Sequence, residues 1–117
     1  WPFGFSMRRV FSALLLLRVL LAHGQDASLV PDLRATLATA TNDTLRADAL
    51  ARICFNLIRS EPDSARLAGE QAMTLAKRIG NQRALGDAHN NLGWLAAEQG
   101  QLDRADSLLR IALGIFQ

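Results

Sequence analysis

The sequence predicts an all-α protein built from antiparallel helix hairpins stacked one on the next. The first reason is composition. Half of the 117 residues are hydrophobic and tyrosine is absent. Ala, Leu and Arg dominate while β-branched residues are sparse, a balance that favours helix. The second reason is periodicity: apolar residues recur every three or four positions, and no useful stretch alternates as a strand does. The third is an internal repeat. Ala65 and Ala72 recur as Ala105 and Ala112 at an offset of 40, and Ile53-Cys54 recurs as Leu92-Gly93 at an offset of 39. A period of about 40 residues marks stacked helical units.

The elements follow in order. Within a leading segment, 25–43, Leu33, Leu37 and Ala40 have helical spacing and predict a short helix at about 31–40. Thr41-Asn42-Asp43-Thr44 is a turn and helix start. A second helix over 45–59 carries Leu45, Ala49, Ile53 and Leu57 every fourth residue, with Leu50 and Cys54 beside them. Ser60 then reads as an N-cap, paired with Asp63 as in a capping box, and Pro62 is tolerated in a first turn. The third helix runs to Ile79 with Ala65, Ala68, Ala72, Leu75, Ala76 and Ile79 on one stripe, and Gly80-Asn81 stops it. The fourth covers about 82–99 and ends at Gly100. The fifth opens at Gln101-Leu102, and Leu102, Ala105, Leu108, Leu109, Ala112, Leu113 and Phe116 line one side of it. Two hairpins result, 44–80 and 82–117. The second is still apolar at Leu113-Gly114-Ile115-Phe116. Repeat arrays need about three units and polar ends, so a truncated piece of a longer array is expected, with an open C-terminal edge available for self-association.

The first 24 residues read as an address. Met7-Arg8-Arg9 is a positive start, Val10 to Ala22 an apolar run of 13 residues, and Ala22-His23-Gly24 a small-residue site before Gln25. That order is a secretory signal peptide over 7–24, cleaved after Gly24. The run is short of the ~20 residues a membrane span needs, and no cysteine follows to carry a lipid anchor. Arg18 interrupts the run, which keeps a core or amphipathic helix of a cytoplasmic protein as the alternative. Residues 1–6 precede Met7 and read as an upstream or non-native extension.

Charge and chemistry exclude more than they assign. The net charge of +2 is misleading, because Arg8, Arg9 and Arg18 all fall in the leader. From Gln25 onward ten basic residues face eleven acids. Interspersed and near neutral, this body has no footprint for nucleic acid. The one cysteine, Cys54, sits between Ile53 and Phe55 and reads as a buried packing residue. His89 is the one histidine of the body, so no second histidine is there to share a metal. Gly80, Gly86, Gly93 and Gly100 are spaced six or seven apart, unlike a phosphate loop; Gly86 reads as a close-packing position. No catalytic residue, cofactor site or metal site is predicted.

The second hairpin resembles a tetratricopeptide repeat, whose pattern is Trp-x2-Leu-Gly-x2-Tyr, then Ala-x3-Phe, then Ala and Pro. Leu92-Gly93 match the Leu-Gly pair, Gly100 the turn glycine, and Leu102 the large residue after it. Ala105 matches the small residue, Leu109 stands at the aromatic position, and Ala112 is the second alanine. His89 and Ala96 replace the two aromatics of the first helix, and Gln117 falls where the proline would be. The likeness is strong over 86–117, moderate over 45–80 and absent before about 40. It implies a right-handed solenoid. It also implies that Gly93 lies where the two helices cross, opposite Ala105, with Leu92 and Leu109 filling the sides and Cys54 in the glycine's place in the first unit. Ala65 and Ala72 complete that packing signature.

The wording Ala76-Lys77-Arg78-Ile79-Gly80-Asn81 and Asn90-Asn91-Leu92-Gly93 resembles the exported repeat arrays of Bacteroidetes-type sensor histidine kinases and related regulators. The resemblance implies a scaffold that binds a protein or peptide partner, contacts the membrane only through its leader during export, and is no enzyme within this segment. A cytoplasmic repeat regulator and a small stand-alone exported helical protein are the alternatives. In this family the first helix of each hairpin lines the groove, here Asp87, Asn90, Asn91, Trp94, Ala97 and Glu98. Trp94 beside amides could hold an extended segment, or it could pack on the neighbouring hairpin. Asp87 and Glu98 stand where members that grip a terminal carboxylate carry basic residues, which counts against that mode.

Overall fold

The computed structural model describes residues 24–117. The leader expected over 7–24 and the extension 1–6 therefore lie outside the described residues, apart from Gly24. Among the described residues the fold is all-α. A 3-10 turn, Ala27–Leu29, leads into five α-helices: α1 Val30–Thr39, α2 Asp43–Leu57, α3 Pro62–Ile79, α4 Gln82–Glu98 and α5 Leu102–Phe116. Each helix packs antiparallel on the one before it, and α2 also touches α4. None of these helices is long and apolar enough to cross a membrane.

Local chemistry sets the boundaries. Asn42 and Asn81, 39 residues apart, cap α2 and α4 in the same way: each side-chain oxygen accepts a bond from the backbone N–H three residues on, at Leu45 and Ala84. Gly80 and Gly100 are the positive-φ residues, at 68° and 75°. Each closes its helix with the same pair of bonds. Gly80 N–H donates to Lys77 O and Asn81 N–H to Ala76 O; Gly100 N–H donates to Ala97 O and Gln101 N–H to Ala96 O. The capping box expected at Ser60 does not form. Glu61 is the N-cap of α3 and makes no side-chain cap bond, with Pro62 at the first helical position. Glu61 N–H still donates to Leu57 O, so Ser60 sits in the tail of α2, short of the new helix. Asp63 pairs with Arg66 instead, at 3.3 Å.

The core is layered across three helices at once. Ala47, Ala76 and Ala84 form one layer. Leu50, Ala51, Ala72 and Ala88 form the next. Ile53, Cys54, Leu57, Ile58, Ala65, Ala68, Leu92 and Leu95 form the largest, which Val30 joins from α1. Each layer takes residues from α2, α3 and α4, so α3 is held between the helix before it and the helix after it. Alanine in every layer lets the backbones come close, and the large residues concentrate in the third layer.

Candidate functional site

The sites where helices cross explain the glycines. A Cβ at Gly93 would lie 2.7 Å from Leu109 Cγ and 3.4 Å from Leu108 Cβ. At the crossing expected at Gly93 the nearest side chain is therefore Leu109 of α5, and Ala105, four residues before it on the same helix, is buried at 5 % exposure. Leu92, next to Gly93 in the chain, is buried. It faces the other hairpin, where a Cβ at Gly69 would lie 2.6 Å from Leu92 Cδ2 and 2.9 Å from Cys54 Sγ. Gly69 is the residue that sequence reasoning missed. Its offset of 40 from Leu109, beside the 39 between Cys54 and Gly93, was the signal. The two hairpins make the same crossing with the small residue on opposite sides: Cys54 on Gly69 in the first, Gly93 on Leu109 in the second. Gly86 is a close-packing position as expected, since a Cβ there would meet the Phe116 ring at 2.6 Å.

Cys54 is wholly buried, and burial pushes its thiol up to about 12. It is a packing thiol with no thiolate to react at neutral pH. His89 is also buried, 7 % exposed. Its Nδ1 lies 2.9 Å from Leu85 O, and since a carbonyl can only accept, Nδ1 carries the proton and donates. Among the described residues no three His, Cys, Asp or Glu side chains come together as a metal would require.

Of the expected groove residues, Asp87, Asn91 and Glu98 stand close to residues of α2, and two of them are already occupied. Asn91 Nδ2 donates to Ala51 O, 2.9 Å away on α2. Its amide ties the hairpins together and is not free for a ligand. Glu98 reaches Arg59 at 3.8 Å, again across the two hairpins. Trp94 packs against the largest core layer while staying partly exposed. Asp87 and Asn90 are half-buried. Burial raises the Asp87 carboxyl and the neighbouring Asp48 adds to this, while Arg83 and Arg52 oppose it.

The repeat extends to this face, which sequence reasoning had not carried so far. On α2 the residues Asp48, Arg52, Phe55 and Arg59 stand at i, i+4, i+7 and i+11. On α4 Asp87, Asn91, Trp94 and Glu98 have the same spacing at an offset of 39. The result is four rungs, each a pair of corresponding positions on the two helices. Arg59 with Glu98 is closed by an ion pair. Arg52 turns to Asp48 at 3.2 Å, and Asn91 to backbone. Phe55 and Trp94 are both partly exposed against one core layer. Asp48 and Asp87 bring like charges together. No protein family, curated protein or solved structure matches the chain.

Proposed function

We propose that this chain is a tetratricopeptide-like repeat scaffold, the α2–α4 face of which holds an extended peptide or protein segment. The observation that carries the reading is the four-rung ladder. A face maintained in duplicate, with an aromatic at the same place in each unit, suits a ligand that lies across successive units. Rungs two and four are satisfied internally and set the spacing of the helices. The aromatic pair Phe55 and Trp94 remains to meet a ligand, beside the acidic pair Asp48 and Asp87, of which Asp48 already pairs with Arg52. Seven residues separate them along each helix, about 10 Å of rise, or about three residues of an extended strand. A segment with a cation three positions from an apolar side chain fits that separation.

The wider role follows from the resemblance: an exported sensory part of a bacterial signalling protein, such as a sensor histidine kinase, acting by binding and with no chemistry of its own. One local bond supports a mature end near Gln25. Asp26 N–H donates to Asn56 Oδ1 at 2.8 Å, so the chain is fastened to α2 immediately after the expected cleavage point.

The test is selection from a random octapeptide library, followed by binding measurements on Phe55→Ala/Trp94→Ala. Loss of at least about tenfold in affinity, roughly 1.4 kcal/mol, with helix content unchanged, is the expected result. Selected peptides that bind parent and double variant equally would remove the groove reading. Mass determination of the N-terminus after cell fractionation tests export: a periplasmic chain starting at Gln25 supports it, and an intact cytoplasmic start at Met7 supports the cytoplasmic regulator.

A further inference from the structure

We infer that the mature chain carries a modified first residue: once the leader is removed, Gln25 closes on itself to pyroglutamate. The inference rests on the export reading given above, which puts the cut between Gly24 and Gln25, and goes beyond it. The cut turns the backbone nitrogen of Gln25 into a free α-amine. An α-amine has an ordinary pKa of about 8, so an appreciable share is neutral near pH 7. The neutral nitrogen attacks Cδ of its own side-chain amide. The N–Cδ bond forms, the Cδ–Nε2 bond breaks, and a proton passes from the amine to Nε2, which leaves as ammonia. Nothing is oxidised or reduced, and the product is a neutral lactam.

The fold fastens the chain just after Gln25 and leaves the Gln25 side chain untied. Asp26 N–H donates to Asn56 Oδ1 at 2.8 Å. Asn56 is 8 % exposed, and its Nδ2 donates to Arg52 O at 2.9 Å. Ser28 N–H donates to Asp26 Oδ1 at 2.9 Å. Gln25 is half-buried, and its Oε1 is buried with no hydrogen-bond partner among the described residues. A buried carbonyl without a donor is costly to keep, and it loses no bond when the side chain turns toward the amine. The location gives closure a consequence. A Cβ built on Gly24 would lie 3.6 Å from Phe55 Cζ, and Gly24, Leu29, Leu33, Phe55 and Asn56 line one cavity of about 390 Å³. The cut sets an ammonium at this edge, beside one aromatic of the proposed groove. Closure removes that charge.

The test expresses the full 117-residue chain with export and treats the isolated protein, before any digestion, with a reagent that methylates free amines. Lys77 is the chain's one lysine, so a closed terminus leaves one amine to label and an open terminus leaves two. The expected result is a chain that starts at Gln25, is lighter by one ammonia than its unmodified sequence and labels at Lys77 alone. Pyroglutamyl aminopeptidase should remove its first residue. Gln25→Asn, whose side chain is too short to form this lactam, should be cut at the same place and label at both amines. A chain that starts at Gln25, keeps its ammonia and labels twice overturns the inference and leaves export standing. A closed terminus in both proteins also overturns it, because the block would then not depend on the Gln25 side chain. A chain that starts anywhere else, or keeps its leader, overturns the inference and the export reading together.

Discussion

At the scale of the residue, the lesson is in paired volumes. Cys54 and Gly69 share one crossing, Gly93 and Leu109 the repeated one, with a hypothetical Cβ on either glycine below 3 Å from its neighbour. The sequence made Gly93 legible because glycine beside leucine inside an apolar helix needs a packing reason. It did not make Gly69 legible, since a glycine between Ala68 and Glu70 shows nothing of what lies across from it. Only the offsets connect the pairs. Converting the second crossing to the chemistry of the first gives a direct check. Gly93→Cys alone overpacks against Leu109 and should cost ~1–3 kcal/mol. Leu109→Gly alone leaves a cavity and a glycine inside a helix, and should cost ~2–5 kcal/mol. Together the new thiol occupies space that the leucine left. The double variant should therefore be more stable than the sum of the singles by ~0.5–3 kcal/mol. Urea unfolding of the four proteins measures this coupling. An additive result would mean that the crossings differ in geometry as well as in sequence.

At the scale of the element, helix ends divide into those that glycine and asparagine specify and those that proline leaves ambiguous. Gly80-Asn81 and Gly100-Gln101 announce their stops because a left-handed residue favours glycine, and the structure has both at positive φ. Five helices, with bounds within about two residues, were readable on this basis. The start of α3 was not. Ser60, Pro62 and Asp63 fit a capping pattern in type and spacing, yet the chain stays helical-like past Leu57 and the cap falls on Glu61. The difference is measurable. Ser60→Ala should change stability by less than ~0.5 kcal/mol, the level of an ordinary surface change. Gly100→Ala forces a Cβ into the left-handed region and should cost ~1–2 kcal/mol. Thermal unfolding of both variants separates the two cases; a loss at Ser60 as large as that at Gly100 would restore the capping box.

At the scale of the whole molecule, alanine layers bring α2, α3 and α4 close enough for Asn91 and Glu98 to be used between hairpins. The groove residues were legible as neighbours on a face, because helical spacing fixes that. Their engagement with Ala51 and Arg59 was not, because it depends on how α2 sits beside α4. The same packing sets an unusual pH profile. On the acid side, the hydrogen bond from Arg46 holds the Asp43 carboxyl below its ordinary value, helped by the charges of Arg78 and Arg46. Ser28 does the same for Asp26. These contributions are present above the ordinary carboxyl range and are lost as pH falls through the depressed values. Asp87 works the other way: its raised carboxyl takes up a proton more readily folded than unfolded, so lowering the pH through its folded value favours the fold. Asp43→Asn should therefore flatten the acid arm, and Asp87→Asn should steepen it. On the alkaline side, the Cys54 thiol is raised from about 9 to about 12. Its contribution is complete below about 9 and is lost as pH rises toward 12, since only the unfolded chain then holds a thiolate. The test is clean because the chain has no tyrosine and Lys77 is its one lysine. Urea midpoints from pH 7 to pH 11 should fall for the parent and stay nearly level for Cys54→Ala, whatever that variant's starting stability. A fall of equal slope in both would show that the alkaline loss does not come from the Cys54 thiol.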